Sequence, residues 1–168
     1  AFYYGSNSLF WMSENQMNLY HQMFPFLVKK LNTVLSSIFS PATLDSIRKI
    51  RNQNKEKNDT WKIVGSTSWI KGIPESESYC KANNLDYEIV FDLSHCELLE
   101  NLGKSKGLIF LPLGGDTCPR TVIEAKLLGC KLILNENVQH STEKWFDTDN
   151  LDEIESYLRE RPEVFWQK

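Results

Sequence analysis

The chain has 168 residues, of which 41% are hydrophobic and 12% aromatic, enough for one sizeable core and a better fit to a single domain than to two. Its 22 acidic and 19 basic side chains leave a net charge of −3 and no basic face to track a phosphate backbone, which argues against nucleic acid as a partner. No apolar run approaches the roughly 20 residues that cross a bilayer, and the N-terminus has neither the charged start nor the cleavage site of a signal peptide, so a cytoplasmic chain with no transmembrane segment is expected.

Ala1 stands first where a methionine is usual, which is read as the start of a processed or excised chain with more protein upstream. Residues 8–12 read as a strand, and Ser13 as the cap of a helix through Gln16, Leu19, Tyr20 and Met23 that stops before Pro25. A second strand is expected over residues 33–38. Ser40-Pro41 then opens a helix with Leu44, Ile47 and Ile50 on one face. The polar run of residues 52–60 divides the chain, and its Asn58-Asp59-Thr60 glycosylation pattern is read as chance.

Beyond it, apolar runs at 61–65, 85–91, 107–112 and 131–135 read as strands. They alternate with helices at 74–83, 94–104 and 119–128, the last capped by Gly129. Leu108 to Leu111 and Leu132 to Leu134 are apolar without alternation, as in strands covered on both faces. The repeated alternation of strand and helix selects a doubly wound α/β fold with a parallel sheet, Rossmann-like, with helices on both faces. Asp149 or Asn150 caps a closing helix lined by Leu151, Ile154, Tyr157 and Leu158, and Phe165 and Trp166 end the chain as large apolar groups.

The densest signal lies between Leu111 and Ala125, where a buried strand runs into a glycine loop and then a helix. Ligands of doubly wound sheets bind at the carboxyl ends of strands, where a helix N-terminus offers unpaired N–H groups to an anion. Gly114 and Gly115 permit close backbone approach, Pro119 suits the first helical position, and Arg120 adds a planar cation for phosphate oxygens. Glu124, one helical turn on, shares a face with Arg120 and can accept hydrogen bonds from ribose hydroxyls. On the residues alone a plainer reading stands beside this one: Asp116 caps the helix, Arg120 and Glu124 form an exposed pair, and the glycines make a turn.

This stretch resembles the signature of the family 4 retaining glycosyltransferases, two-domain GT-B enzymes whose C-terminal domain carries an acidic residue, seven further residues and a Glu-Ala. Asp116 and Glu124-Ala125 take the acidic places. Ile63-Val64-Gly65 with Lys71-Gly72 resembles the family's glycine-ended strand and Lys-Gly pair, Leu93-Ser94 its nucleobase loop, and Leu128 to Ile133 the turn and strand after the Glu helix. Residues 33–39 resemble the strand that opens the donor domain, and Phe10 to Glu14 the end of the acceptor domain. Ser66 replaces the usual arginine after the strand glycine, leaving Arg120 as the substitute cation. Asp116 is shorter than the usual Glu, Cys118-Pro119 replaces Phe-Gly, and Asn137 to His140 lacks the Gly-Gly often found there.

The resemblance implies a hexosyltransferase donor domain over residues 31–168, preceded in residues 1–30 by the trailing strand and helix of an upstream acceptor domain or linker. The donor would be a nucleoside diphosphate sugar and the acceptor a sugar, lipid-linked or protein hydroxyl, with no further cofactor. Asp116 and Glu124 are the catalytic candidates, Asp116 facing the transferred sugar. Lys71, Gly114, Gly115, Arg120, Thr121, Glu124 and Ser94 are the donor-binding set. A noncatalytic nucleotide-binding or interaction module and a sugar-nucleotide epimerase of the same architecture are the alternatives. His21, His95 and His140 are too scattered for a metal site, Cys118 reads as a packed thiol, and Trp69 as either a stacking platform or a helix cover.

Overall fold

A computed structural model describes residues 5–167. The chain opens with β1 (Ser8–Trp11), α1 (Glu14–Met23), a 3-10 turn (Pro25–Lys29) and β2 (Leu31–Val34), and continues through α2 (Pro41–Gln53) to β3 (Trp61–Val64). A second 3-10 turn (Trp69–Lys71) leads into α3 (Ile73–Ala82), followed by β4 (Tyr87–Val90), α4 (His95–Lys104), β5 (Gly107–Phe110), α5 (Arg120–Leu127), β6 (Lys131–Leu134) and α6 (Leu151–Trp166). The fold is α/β and doubly wound as expected. Four strands form a parallel sheet in the order β4-β3-β5-β6, with Ile63 beside Ile89 and Ile109 beside Ile133, while β1 and β2 form a separate parallel pair.

The apolar runs are explained by cover on both faces of β5. Ile109 joins Trp61, Ile63 and Cys80 in the layer beneath α3, whereas Leu108 and Phe110 join the larger core built with α2, α4, α5 and α6. Leu108 and Ile109 are both fully buried, and each such side chain contributes about 1.5–3 kcal/mol of transfer free energy. Pairing with β4 and β6 outside β3 and β5 leaves the sheet order reversing between the two central strands. Ser13, Ser40, Ser94 and Asn150 each cap the following helix with a side-chain oxygen, and Ser94 with Glu97 completes a capping box.

Three local differences from the sequence reading have physical causes. The second strand ends at Val34 and starts earlier than expected, because β1 stops at Trp11, whose carbonyl takes the Leu35 N–H, and Ser36 turns into the left-handed region at φ 60°. Pro119 sits one position earlier than the first helical residue, with extended backbone at ψ 116°, so that α5 begins at Arg120. The closing helix runs through Pro162 as far as Trp166 and lays Phe165 against Phe10, ring centroids 5.1 Å apart.

The β1–β2 pair spans the expected division at residue 30, with Ser8 beside Leu31 and Trp11 beside Val34. Its own small core gathers Leu9, Trp11 and Leu27. The loop after β6 grips this unit: Glu143 accepts the Glu14 N–H at 2.8 Å, and Ser13 donates to the Gln139 side chain at 3.0 Å. Among the described residues no helix is long and apolar enough to cross a membrane.

Candidate functional site

The site is assembled by stitches between loops at the carboxyl ends of β3 and β5. Leu113 N–H donates to the Ile70 carbonyl at 2.8 Å, tying the 3-10 turn after β3 to the strand exit of β5. Gly72 makes this approach possible: its φ is +65°, and a Cβ there would fall 1.8 Å from the Leu111 carbonyl oxygen. Lys71 is thereby carried to Asp116, with its Nζ 2.7 Å from Oδ2 and 5.5 Å from the centre of the Phe110 ring. Asp116 is pinned from behind, its N–H donating to Asn137 O at 2.8 Å and its carbonyl accepting from Gln139 N–H at 3.0 Å.

A cavity of about 250 Å³ opens between these elements, lined by Val64, Gly65, Ser66, Lys71, Phe110, Pro119, Arg120 and Thr121. It lies where the strand order reverses, the place at which open α/β sheets leave a crevice. No side chain caps the N-terminal end of α5 that borders it. Two cations and an open helix end thus converge on one concavity, an arrangement suited to anionic oxygens. Arg120 is held by stacking, with its guanidinium 4.5 Å from the Phe39 ring centre.

Arg120 and Thr121 also line a second groove of about 300 Å³ with His95, Leu98 and Glu124. Glu124 is almost completely buried at its base. Its Oε1 lies 2.9 Å from His95 Nε2 and 4.0 Å from the Arg120 guanidinium. The plain reading of an exposed pair is therefore replaced by a buried carboxylate with a histidine as its close partner. The first reading of Asp116 as a helix cap gives way likewise, since its carboxylate goes to Lys71.

The donor-binding set is brought together in part. Lys71, Arg120, Thr121 and Glu124 line one or both of the two cavities, which share Arg120 and Thr121, and Asp116 adjoins the first through Lys71. Gly114 and Gly115 fall outside both linings. A Cβ on Gly114 would find ordinary contact, and one on Gly115 would meet only the terminal amide of Gln139, so neither glycine is required by a close approach to backbone. Ser94 spends its hydroxyl and N–H on Glu97, at 2.6 and 2.9 Å, which lowers the Glu97 pKa, and the neighbouring His95 is the residue that reaches the groove. Phe39, beneath Arg120, carried no signal in the sequence.

Two buried groups flank the site without lining it. Burial pushes the Cys118 thiol up to about 11, consistent with a packed and unreactive sulfur. His140 is fully buried between Trp145 and Phe146, and neither ring nitrogen has a hydrogen-bond partner among the described residues. Burial lowers its pKa to about 4, the nearby Asp116 acting in the opposite direction. No protein-family model matches the chain, and no curated protein matches it.

Proposed function

We propose that this chain is the donor-binding domain of a retaining glycosyltransferase and holds a nucleoside diphosphate sugar across the two cavities that share Arg120 and Thr121. The observation that carries the reading is the convergence of Lys71, Arg120 and the open end of α5 at the reversal of strand order, next to a buried Glu124. In this reading the diphosphate lies against Lys71, Arg120 and the α5 N-terminus, Glu124 accepts from the ribose, and Asp116 faces the transferred sugar. Thr121, at the junction of the cavities, sits where diphosphate meets ribose. In this reading a sugar, lipid-linked or protein acceptor is held by an upstream acceptor domain facing these loops.

The test is calorimetric titration with UDP, GDP and ADP sugars, on the parent chain and on Lys71→Met with Arg120→Met. The parent binds at least one donor, and the double change weakens nucleoside diphosphates by roughly 100-fold while leaving the bare nucleoside within a few-fold, as two lost charge-assisted hydrogen bonds require. Equal losses for both ligands would reject the phosphate assignment. The presence of Ser66 where the family carries arginine favours one second reading, a noncatalytic nucleotide-binding or interaction module, and its interaction form predicts no nucleotide binding in the parent.

A further inference from the structure

We infer that Asp116 is a built-in counter-anion of the phosphate end, competing with a bound ligand for Lys71 and so grading ligands by their charge; this rests on the phosphate assignment of Lys71 above. Both cations that line the cavity are faced by carboxylates of the same chain, but unequally. Arg120 stands 4.0 Å from Glu124 and presents a fork of five donors, whereas Lys71 is in direct contact with Asp116 at 2.7 Å. One of the three Lys71 protons is thus committed, and the charge it offers a ligand is largely cancelled.

The two partners differ in freedom to move. Asp116 is fixed by its backbone bonds to Asn137 and Gln139, and its side chain is 17% exposed, while that of Lys71 is 39% exposed on an irregular turn. An arriving phosphate therefore draws Lys71 towards itself while the carboxylate stays within a few ångströms. Attraction to Lys71 and repulsion from Asp116 both scale with ligand charge, and in a recess partly shielded from water both are weakened less than in bulk solvent. The backbone bonds to Asn137 and Gln139 keep the acidic residue in this position.

The experiment titrates inorganic pyrophosphate, inorganic phosphate and uridine into the parent chain and Asp116→Asn at low salt. The amide preserves shape and hydrogen bonding to Lys71 while removing the charge. We expect pyrophosphate to bind about 10-fold tighter to the variant, phosphate about 3-fold tighter and uridine unchanged, with the gains shrinking as salt is raised. In a Lys71→Met background the same change gains less than it does with Lys71 present, because competition for the lysine is gone and only relief of the direct repulsion remains. Unchanged or weaker pyrophosphate binding by a folded Asp116→Asn overturns the inference, as does failure of pyrophosphate to bind either protein. Should the variant not fold, the parent decides: the Asp116 carboxyl carbon resonance shifts on pyrophosphate saturation, and a stationary resonance overturns the inference. The graded pyrophosphate response together with no binding of any nucleotide sugar would uphold the counter-anion and reject the donor reading instead.

Discussion

Glu124, proposed above to accept from a ribose, is a buried carboxylate at the floor of a groove with His95 over one oxygen. Glu124→Gln keeps its volume and removes its charge, so the chain should stay folded. Loss of a charged hydrogen bond to ribose is worth about 1.5–3 kcal/mol, or roughly 10- to 150-fold in nucleoside affinity. Calorimetry with unchanged affinity would remove Glu124 from the ribose. His140 makes a prediction about pH. In the unfolded chain its imidazole takes a proton near pH 6.5, whereas burial keeps it neutral in the fold down to about 4. The depressed folded value means that the unfolded state binds more protons between those limits, so the contribution is fully present above pH 6.5 and is lost as pH falls towards 4, by about 3 kcal/mol. Burial of Glu143 raises its carboxyl and acts in the opposite sense, favouring the fold at acidic pH and losing that advantage as pH rises through its raised value. Denaturant unfolding at pH 4 and pH 7 should therefore show a smaller acid loss in His140→Phe than in the parent. Equal losses would place the sensitivity elsewhere.

At the scale of elements, α2 and α6 are clamped by a buried carboxylate. Glu155 of α6 is bound by Arg48 of α2 at 2.8 Å and by Arg159 at 2.6 Å. Both arginines keep access to water, so Glu155→Ala should cost about 1–3 kcal/mol, below the cost of stranding a fully buried charge. A denaturation midpoint unmoved by the change would make the clamp decorative. The elements themselves were legible in the sequence because β5 and β6 are apolar without alternation and each capping residue precedes its helix. What escaped was tertiary. The end of β2 depends on where β1 runs out of partners, which no local pattern encodes. The glycine loop and Glu124 announced a site, but Phe39 under Arg120 is brought there only by folding, and the Lys71 to Asp116 contact joins residues 45 positions apart. Ser94 was marked by the resemblance of Leu93-Ser94 to a nucleobase loop, but its hydroxyl caps α4 and the neighbouring His95 lines the groove instead.

At the scale of the whole molecule, the phosphate and ribose contacts proposed above all come from the loops after β3 and β5 and from α4 and α5. On the two-domain reading proposed above, the chain by itself should bind a donor nucleotide and transfer no sugar, because the wall that excludes water and holds an acceptor hydroxyl near the anomeric carbon belongs to the other domain. The positioning contribution thereby forgone is up to about 7–11 kcal/mol of barrier. A radiolabelled donor assay with a broad acceptor set, run beside an NMR titration with the same donors, checks both halves of the statement. Robust transfer would make this chain a complete enzyme.

The parallel arrangement of all six described strands also sets how the chain must fold. No pair of neighbouring strands can zip from a tight turn, so every ladder waits for a crossover to bring distant segments together. The central ladder waits longest, since Trp61 meets Gly107 only after α3, β4 and α4 have been threaded between them. Doubling a loop adds only about 0.6 kcal/mol to its closure, so the delay is one of search rather than of stability. Helices therefore organise first and the sheet last, and the crevice between β3 and β5 is among the latest features to acquire its shape.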